Sequence, residues 1–250
     1  MDGVLASANG LIWDEKYGIL VAYRTGVCSI KDGNIISLEN QLKICYGPSS
    51  WCRDGNGDIY LVRGHQIFQF QENRLEELLI DNLPTTDFGI AADKAGNLYL
   101  SSYSPDLQFG VIDKKSRIFK ELKLNGELMS DPRHFVITQD GNMILPDFNH
   151  QVIYQLSLKD GKVSTLAGRK HERMPDARKD RLKYQDGIAS EAVFETPISV
   201  ALDSKGDIYV SEYHGNRLRK ICHLIWSPTT HALFPLRVKQ VEISLENYYI

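Results

Sequence analysis

The sequence predicts an all-β fold, a β-propeller of four-stranded antiparallel blades. Three observations carry that prediction. A turn of the form Asp-x-x-Gly recurs, each copy lies between two short apolar bursts, and the copies follow one another at a near-regular spacing. The clearest copies are Asp54-Gly-Asn-Gly57 before DIYLVR, Asp93-Lys-Ala-Gly96 before NLYLSSY, and Asp203-Ser-Lys-Gly206 before DIYVSEY. Thr138-Gln-Asp-Gly141 precedes NMILPD with Thr in the acid's place, and Glu15-Lys-Tyr-Gly18 before ILVAYR is the faintest copy. The anchor glycines at 18, 57, 96, 141 and 206 stand 39, 39, 45 and 65 residues apart. Self-similarity at such a period marks a repeat architecture.

Each copy has the same interior. An apolar strand (FGIAAD, HFVITQ, ISVALD) enters the glycine turn, and a second strand leaves it. A polar loop and a third strand follow (QVIYQL, RLRKIC), then a fourth (VSTLAG, NIISLE, IFKELK). Glycine supplies the positive φ of a tight hairpin, and β-branched and aromatic residues suit a pleated surface. Radial repetition of four-stranded sheets lets each blade bury its faces against its neighbours. After Gly206, RLRKICHL and a strand from LFPLRVKQVEISL complete a fifth blade. The expectation is therefore one domain over residues 1–250 with five blades and a basic inter-blade insertion at about 168–190. The alternative is six blades, with a degenerate one shared by the termini.

Composition narrows the function classes. The 250 residues are 42% hydrophobic and 24% charged, as in a folded globule. A net charge of -3 gives the whole molecule no electrostatic reason to seek nucleic acid or an anionic membrane. MDGVLASANG has neither the basic start nor the apolar run of a secretory leader, and no stretch is long and apolar enough to span a bilayer. Cys28, Cys45, Cys52 and Cys222 form no paired framework, so reduced thiols are expected. Together these predict a cytoplasmic monomer without membrane association.

VSTLAGR (163–169), YQDGIASEAVFETP (184–197) and the following ISVALDSKGDIYVSEYHGNRLRKI resemble an NHL repeat: strand, D-x-x-G turn, strand ending in an acid, Asn-containing loop, and R-[IL]-x-K-[IL]. The likeness extends over 134–158, with Asp147 and Asn149-His150-Gln151-Val152, and weakens over the first three repeats. It implies a propeller, usually of six blades. The family includes lyases, lactonase-like relatives, RNA binders and interaction scaffolds, so the resemblance leaves function open.

Propeller geometry turns the repeat into a map. The start of each inner strand and the end of the next should share the mouth of a central channel. Counting forward from the glycines gives Arg24, Arg63, Ser102, Asp147 and Glu212; counting back gives Gly10, Ser49, Phe88, Arg133 and Ile198, with His134 beside Arg133. Arg24, Arg63 and Arg133 could fork onto an anionic ligand, with Ser102, Tyr103 and Tyr213 beside them. Asp147 and Glu212 could divide acid and base roles, and His134 could carry a proton near neutrality. Against this, the acid ending the second strand belongs to the repeat pattern, where it makes structural hydrogen bonds or ion pairs. The arginines could equally neutralise those acids, and His134 could be a satisfied structural histidine.

No metal ligand set is expected. The register that holds histidines in some related lyases holds Gly10, Ser49, Phe88, Arg133 and Ile198 here. His65, His150 and His214 fall in loops after second strands, where exposed turn residues are common. The insertion GRKHERMPDARKDRLK offers a lid, a basic contact strip or a solvated loop. Tyr103 and Tyr213, with Phe109 and Trp226 near them, could join it as stacking aromatics for RNA, which the acidic net charge and the mixed-sign ring disfavour. Nucleophile-elbow, phosphate-loop and dinucleotide motifs are absent, and no cofactor is called for. Two functions remain. One is an acid–base enzyme of lyase, cyclase or hydrolase type acting on an anionic small molecule. The other is a scaffold binding a protein, or less favourably RNA, through its rim and basic loop.

Overall fold

The computed structural model describes residues 10–23, 26–39, 49–83, 88–104, 107–170, 184–215, 217–222 and 236–241, without the side chains of 39, 49, 88, 102–104 and 107–108. The described residues are all-β and form five sheets, the blades of a β-propeller fold. The chain divides into two compact units, Met1–Leu122 and Lys123–Ile250.

The first unit holds three four-stranded antiparallel sheets in sequential order. Blade 1 comprises β1 (Gly10–Asp14), β2 (Gly18–Tyr23), β3 (Gly26–Lys31) and β4 (Asn34–Glu39). Blade 2 comprises β5 (Ser49–Arg53), β6 (Ile59–Arg63), β7 (Gln66–Gln71) and β8 (Arg74–Glu77). Blade 3 comprises β9 (Phe88–Ala92), β10 (Leu98–Ser104), β11 (Leu107–Ile112) and β12 (Phe119–Glu121). Leu20 of blade 1 packs with Ile59 and Phe70 of blade 2. The other face of blade 2, with Cys52, Tyr60, Val62 and Ile67, packs on Ile90, Leu98, Leu100 and Ile112 of blade 3. Cys28 and Cys52 are buried free thiols.

The second unit holds two blades. Blade 4 comprises β13 (Asn125–Gly126), β14 (Val136–Ile137), β15 (Asn142–Asp147), β16 (Val152–Ser157) and β17 (Lys162–Ala167). Blade 5 comprises β18 (Gly187–Ile188), β19 (Pro197–Leu202), β20 (Ile208–Glu212), β21 (Arg217–Cys222) and β22 (Arg237–Gln240). In both sheets the short first strand lies at the outer edge, so the order is β13-β17-β16-β15-β14 and β18-β22-β21-β20-β19. A shared core of Ile144, Ile153, Ala167, Phe194, Val200, Ile208 and Val210 joins the two blades.

The recurrent turns explain the hairpins. Asp54 Oδ1 accepts the N–H groups of Asn56 and Asp58 at 2.8 and 3.0 Å, and Asp203 Oδ1 those of Lys205 and Asp207 at 2.9 and 3.0 Å. Thr138 Oγ1 takes the place of that carboxylate, accepting from Asn142 N–H at 3.0 Å. A tyrosine six residues on reaches back to the acid in three blades: Tyr60 to Asp54, Tyr99 to Asp93 and Tyr209 to Asp203, at 3.5, 3.2 and 3.4 Å. In blade 1 the turn is one residue longer. Asp14, rather than the expected Glu15, accepts from Lys16 and Tyr17, at 2.8 and 3.0 Å.

Candidate functional site

The strand register bears directly on the sequence map. Ser49 pairs with Arg63 and Phe88 with Ser102, as the repeat count expects. In the second unit the pairing slips by one residue, so Asp147 faces Pro132 and Glu212 faces Pro197. The bulge before Ser199 accompanies the slip in blade 5.

Asp147 ends β15 with no exposed surface. Its Oδ2 accepts the N–H groups of Ser130 and Asp131 at 2.6 and 3.2 Å, from the linker entering blade 4. Its Oδ1 accepts those of Asn149 and His150 at 3.1 and 2.8 Å, from the loop leaving the strand. One carboxylate thus binds four backbone donors and ties the entry and exit segments together. The His150 ring stands 3.5 Å from Asp147 and 3.0 Å from the Tyr154 hydroxyl, and burial holds it below the usual imidazole range.

Glu212 does the equivalent work at the end of β20. Its Oε1 accepts Glu195 N–H at 2.8 Å and Arg219 Nη1 at 3.2 Å. The donors Ser130 and Glu195 each lie 17 residues upstream of their acid. Backbone bonds one residue on repeat the correspondence: Phe148 N–H donates to Asp131 O and Tyr213 N–H to Thr196 O, both at 3.0 Å. Glu212 Oε2 is buried without a hydrogen-bond donor, and its neighbour Arg217 Nη1 stands 3.9 Å away. Burial raises the Glu212 pKa, outweighing the Glu195 N–H and the two arginines.

Arg219 is fully buried on β21 and donates to four oxygens: Val193 O, Gln185 O, Glu212 Oε1 and Asp186 Oδ1. Asp186 Oδ2 in turn accepts Gln240 N–H at 2.9 Å, so this network also holds β22. Arg219, in the phrase RLRKI, therefore locks the outer edge of blade 5 to the segment before β19.

The expected ligand-binding residues are distributed unevenly. Arg63 is buried and donates through Nη1 to Tyr23 O at 3.0 Å, at the end of β2. Arg133 pairs with Asp131 at 2.5 Å, and its guanidinium lies 4.9 Å from the Phe148 ring. Arg24 and Trp226 lie outside the described residues, as do 171–183 of the basic insertion. Ser102 and Tyr103 sit on β10, where only the backbone is described. Phe109 is a core residue of β11, 1% exposed, and so is no surface stacking group. His134 lies half-buried at the entrance to β14 and bridges Ser199 of blade 5; burial first, then Arg133, lowers its pKa.

What gathers on this side of the second unit is aromatic and cationic. Phe148 lies 6.3 Å from the His214 ring, and Tyr213 lies 4.9 Å from it and is exposed. Arg217 stacks 3.7 Å from the Tyr184 ring while pairing with Glu195 at 3.0 Å. Tyr213 follows a ring position in the sequence map, and Phe148, which that map leaves out, occupies the same place after Asp147. The residue after the strand-end acid is the sequence signal common to both. Among the described residues, no group of three His, Cys, Asp or Glu side chains is placed to hold a metal ion. Nor is any helix among them long and apolar enough to cross a membrane.

Fold and site together define a β-propeller whose strand-end acids act as backbone clamps. Solved structures with the same fold include a protein of unknown function from Bacteroides thetaiotaomicron, at 18% identity and a TM-score of 0.67 over 96% of this chain. They also include virginiamycin B lyase from Staphylococcus aureus, at 14% identity and TM-score 0.61 over 97% of this chain, and the nidogen/laminin complex, at 14% and 0.62 over 86%. The chain spans 58% of the Bacteroides protein, 72% of the lyase and 75% of the matched chain of the complex. Likeness at this identity establishes the fold. No protein-family model and no curated protein matches the sequence.

Proposed function

We propose that this chain is a protein-binding scaffold of the NHL type, and that its contact surface is the strand-end side of blades 4 and 5. The observation carrying this reading is the engagement of the charged groups expected to do chemistry. Asp147 is saturated by four backbone donors. Arg63, Arg133 and Arg217 already hold a carbonyl or a carboxylate rather than awaiting an anionic substrate. The surface left beside them, with Arg133, Phe148, Tyr213, His214 and the Tyr184–Arg217 stack, has the Tyr/Phe/Arg character of protein-interface hot spots. Quantitative affinity capture tests it, comparing the protein with a Phe148→Ala/Tyr213→Ala variant whose circular dichroism and Tm are unchanged. A stoichiometric partner should be retained by the first and lost by the second. Identical partners for both would overturn the assignment.

One feature favours the acid–base enzyme as a second reading: the buried, donor-free Oε2 of Glu212 with its raised pKa. That reading requires turnover of a small molecule that Glu212→Gln abolishes while the fold persists.

A further inference from the structure

At the opposite end of the same two blades, the inner hairpin turns splay around a cleft of about 510 Å³. One wall is the β14–β15 turn and the other the β19–β20 turn. The size lies in the range of small-molecule and short-peptide sites. Its floor is apolar, made by Ile144, Leu166, Leu202 and Ile208, where the shared core of blades 4 and 5 opens outward.

Polar residues of the two turns line the rest of the cleft, and three polar groups bear on a ligand. Gln155 of β16 lines the cleft between the apolar residues, and its amide makes no hydrogen bond among the described residues. Asp140, on one turn, has its carboxylate oriented by the Thr138 hydroxyl and the Asn142 amide. Those hydrogen bonds keep its pKa low, so it is a carboxylate at neutral pH. Lys205, on the facing turn, is exposed. Neither Asp140 nor Lys205 forms an ion pair among the described residues. By contrast, Asp203 beside Lys205 is already engaged: its Oδ1 accepts backbone N–H groups and its Oδ2 faces Lys220 at 3.6 Å.

We propose that this cleft binds a short apolar peptide with both termini free, its ammonium toward Asp140, its carboxylate toward Lys205 and a peptide group on the Gln155 amide. The charge pattern selects that ligand over other amphiphiles. A fatty acid would meet Lys205 but bring no partner for Asp140, and an alkyl amine would do the reverse. A zwitterion with an apolar body satisfies both turns and covers the floor, while a peptide bond matches the donor and acceptor of a primary amide.

The probe is the tripeptide Leu-Ala-Leu, titrated calorimetrically against the whole protein beside its N-acetylated and C-amidated forms. Saturable one-site binding is expected, weakened about fivefold or more by either cap, in line with rim-exposed charge contacts. Asp140→Asn should weaken the free peptide to the level of the acetylated one and leave the acetylated one unchanged. Lys205→Met should do the same for amidation. Lys205→Met lies on an exposed turn and Asp140→Asn keeps an oxygen to accept one of its two turn hydrogen bonds, so Tm should fall little; Leu166→Trp, which fills the floor, should abolish binding. Capped and free peptides binding equally, or no saturation up to millimolar peptide, overturns the proposal. So does an equal effect of Asp140→Asn on the free and acetylated forms.

Discussion

Replacing Arg219 with Met tests the clamp network most directly. The guanidinium is fully buried and holds two backbone carbonyls and two carboxylates at once. Methionine approximates its stem but supplies no donor. Glu212, whose side chain has no exposed surface, would keep only Arg217 at 3.9 Å as a cationic neighbour. Removing one partner of a buried ion pair costs about 3–5 kcal/mol, chiefly because the other charge stays buried and uncompensated. The double variant Arg219→Met/Glu212→Gln should recover about 2 kcal/mol of that loss, since it removes the orphaned charge. Urea denaturation followed by fluorescence and circular dichroism measures both terms. A single-variant loss under about 1 kcal/mol would show that the network is dispensable. A double variant as costly as the sum of its singles would show that Glu212 and Arg219 do not act as a pair.

Two further outcomes follow from the same contacts. Because burial raises the Glu212 pKa in the folded protein, the native state keeps a proton that the unfolded chain has released. Stability should therefore fall as pH rises from near 4.5 through the folded value, and Glu212→Gln should remove that slope in denaturation curves taken across the window. An unchanged slope would assign the dependence elsewhere. Gly96→Ala places a methyl group at φ +87°, with Lys114 Cδ 2.7 Å and Asp54 Oδ2 2.9 Å away, inside the ion pair joining blades 2 and 3. A loss of about 2–3 kcal/mol is expected from the left-handed backbone and the displaced pair; a neutral result in thermal denaturation would contradict that crowding.

The blades were legible because their chemistry is local. An Asp-x-x-Gly turn draws its hydrogen bonds from the next few residues, so Asp54 and Asp203 announce their hairpins in four letters. The same locality explains the slip in blade 1, where an inserted residue moved the accepting acid to Asp14. β13 and β18 were not legible, since two-residue strands carry no period and form only when a distant edge presents itself. The roles of the strand-end acids were hidden for a related reason. For each of them one donor comes from 17 residues upstream, in a linker whose backbone N–H groups look alike whatever the side chains are. A carboxylate that ends a strand reads the same in a sequence whether it meets a substrate or a turn of main chain.

That distinction also recasts the arginine in blade 2. Against blades 4 and 5, Arg63 looks like a lost acid and hence a gained function. Its geometry describes a clamp of reversed polarity. Where Asp147 and Glu212 accept N–H groups from the linker of their own blade, Arg63 donates to Tyr23 O at the end of the preceding blade's second strand. The strand ends at Arg63, Asp147 and Glu212 each carry a polar side chain that reaches neighbouring main chain, and the sign of that side chain follows from whether the main chain presents its donor or its acceptor. A departure from the repeat consensus at such a position is thus accounted for by blade-to-blade hydrogen bonding before any ligand is invoked. Gln155, Asp140 and Lys205 form no ion pair or hydrogen bond between blades among the described residues, and they lie at the other end, where the repeat pattern marks the turns by their first residue and their glycine and leaves the positions between them free.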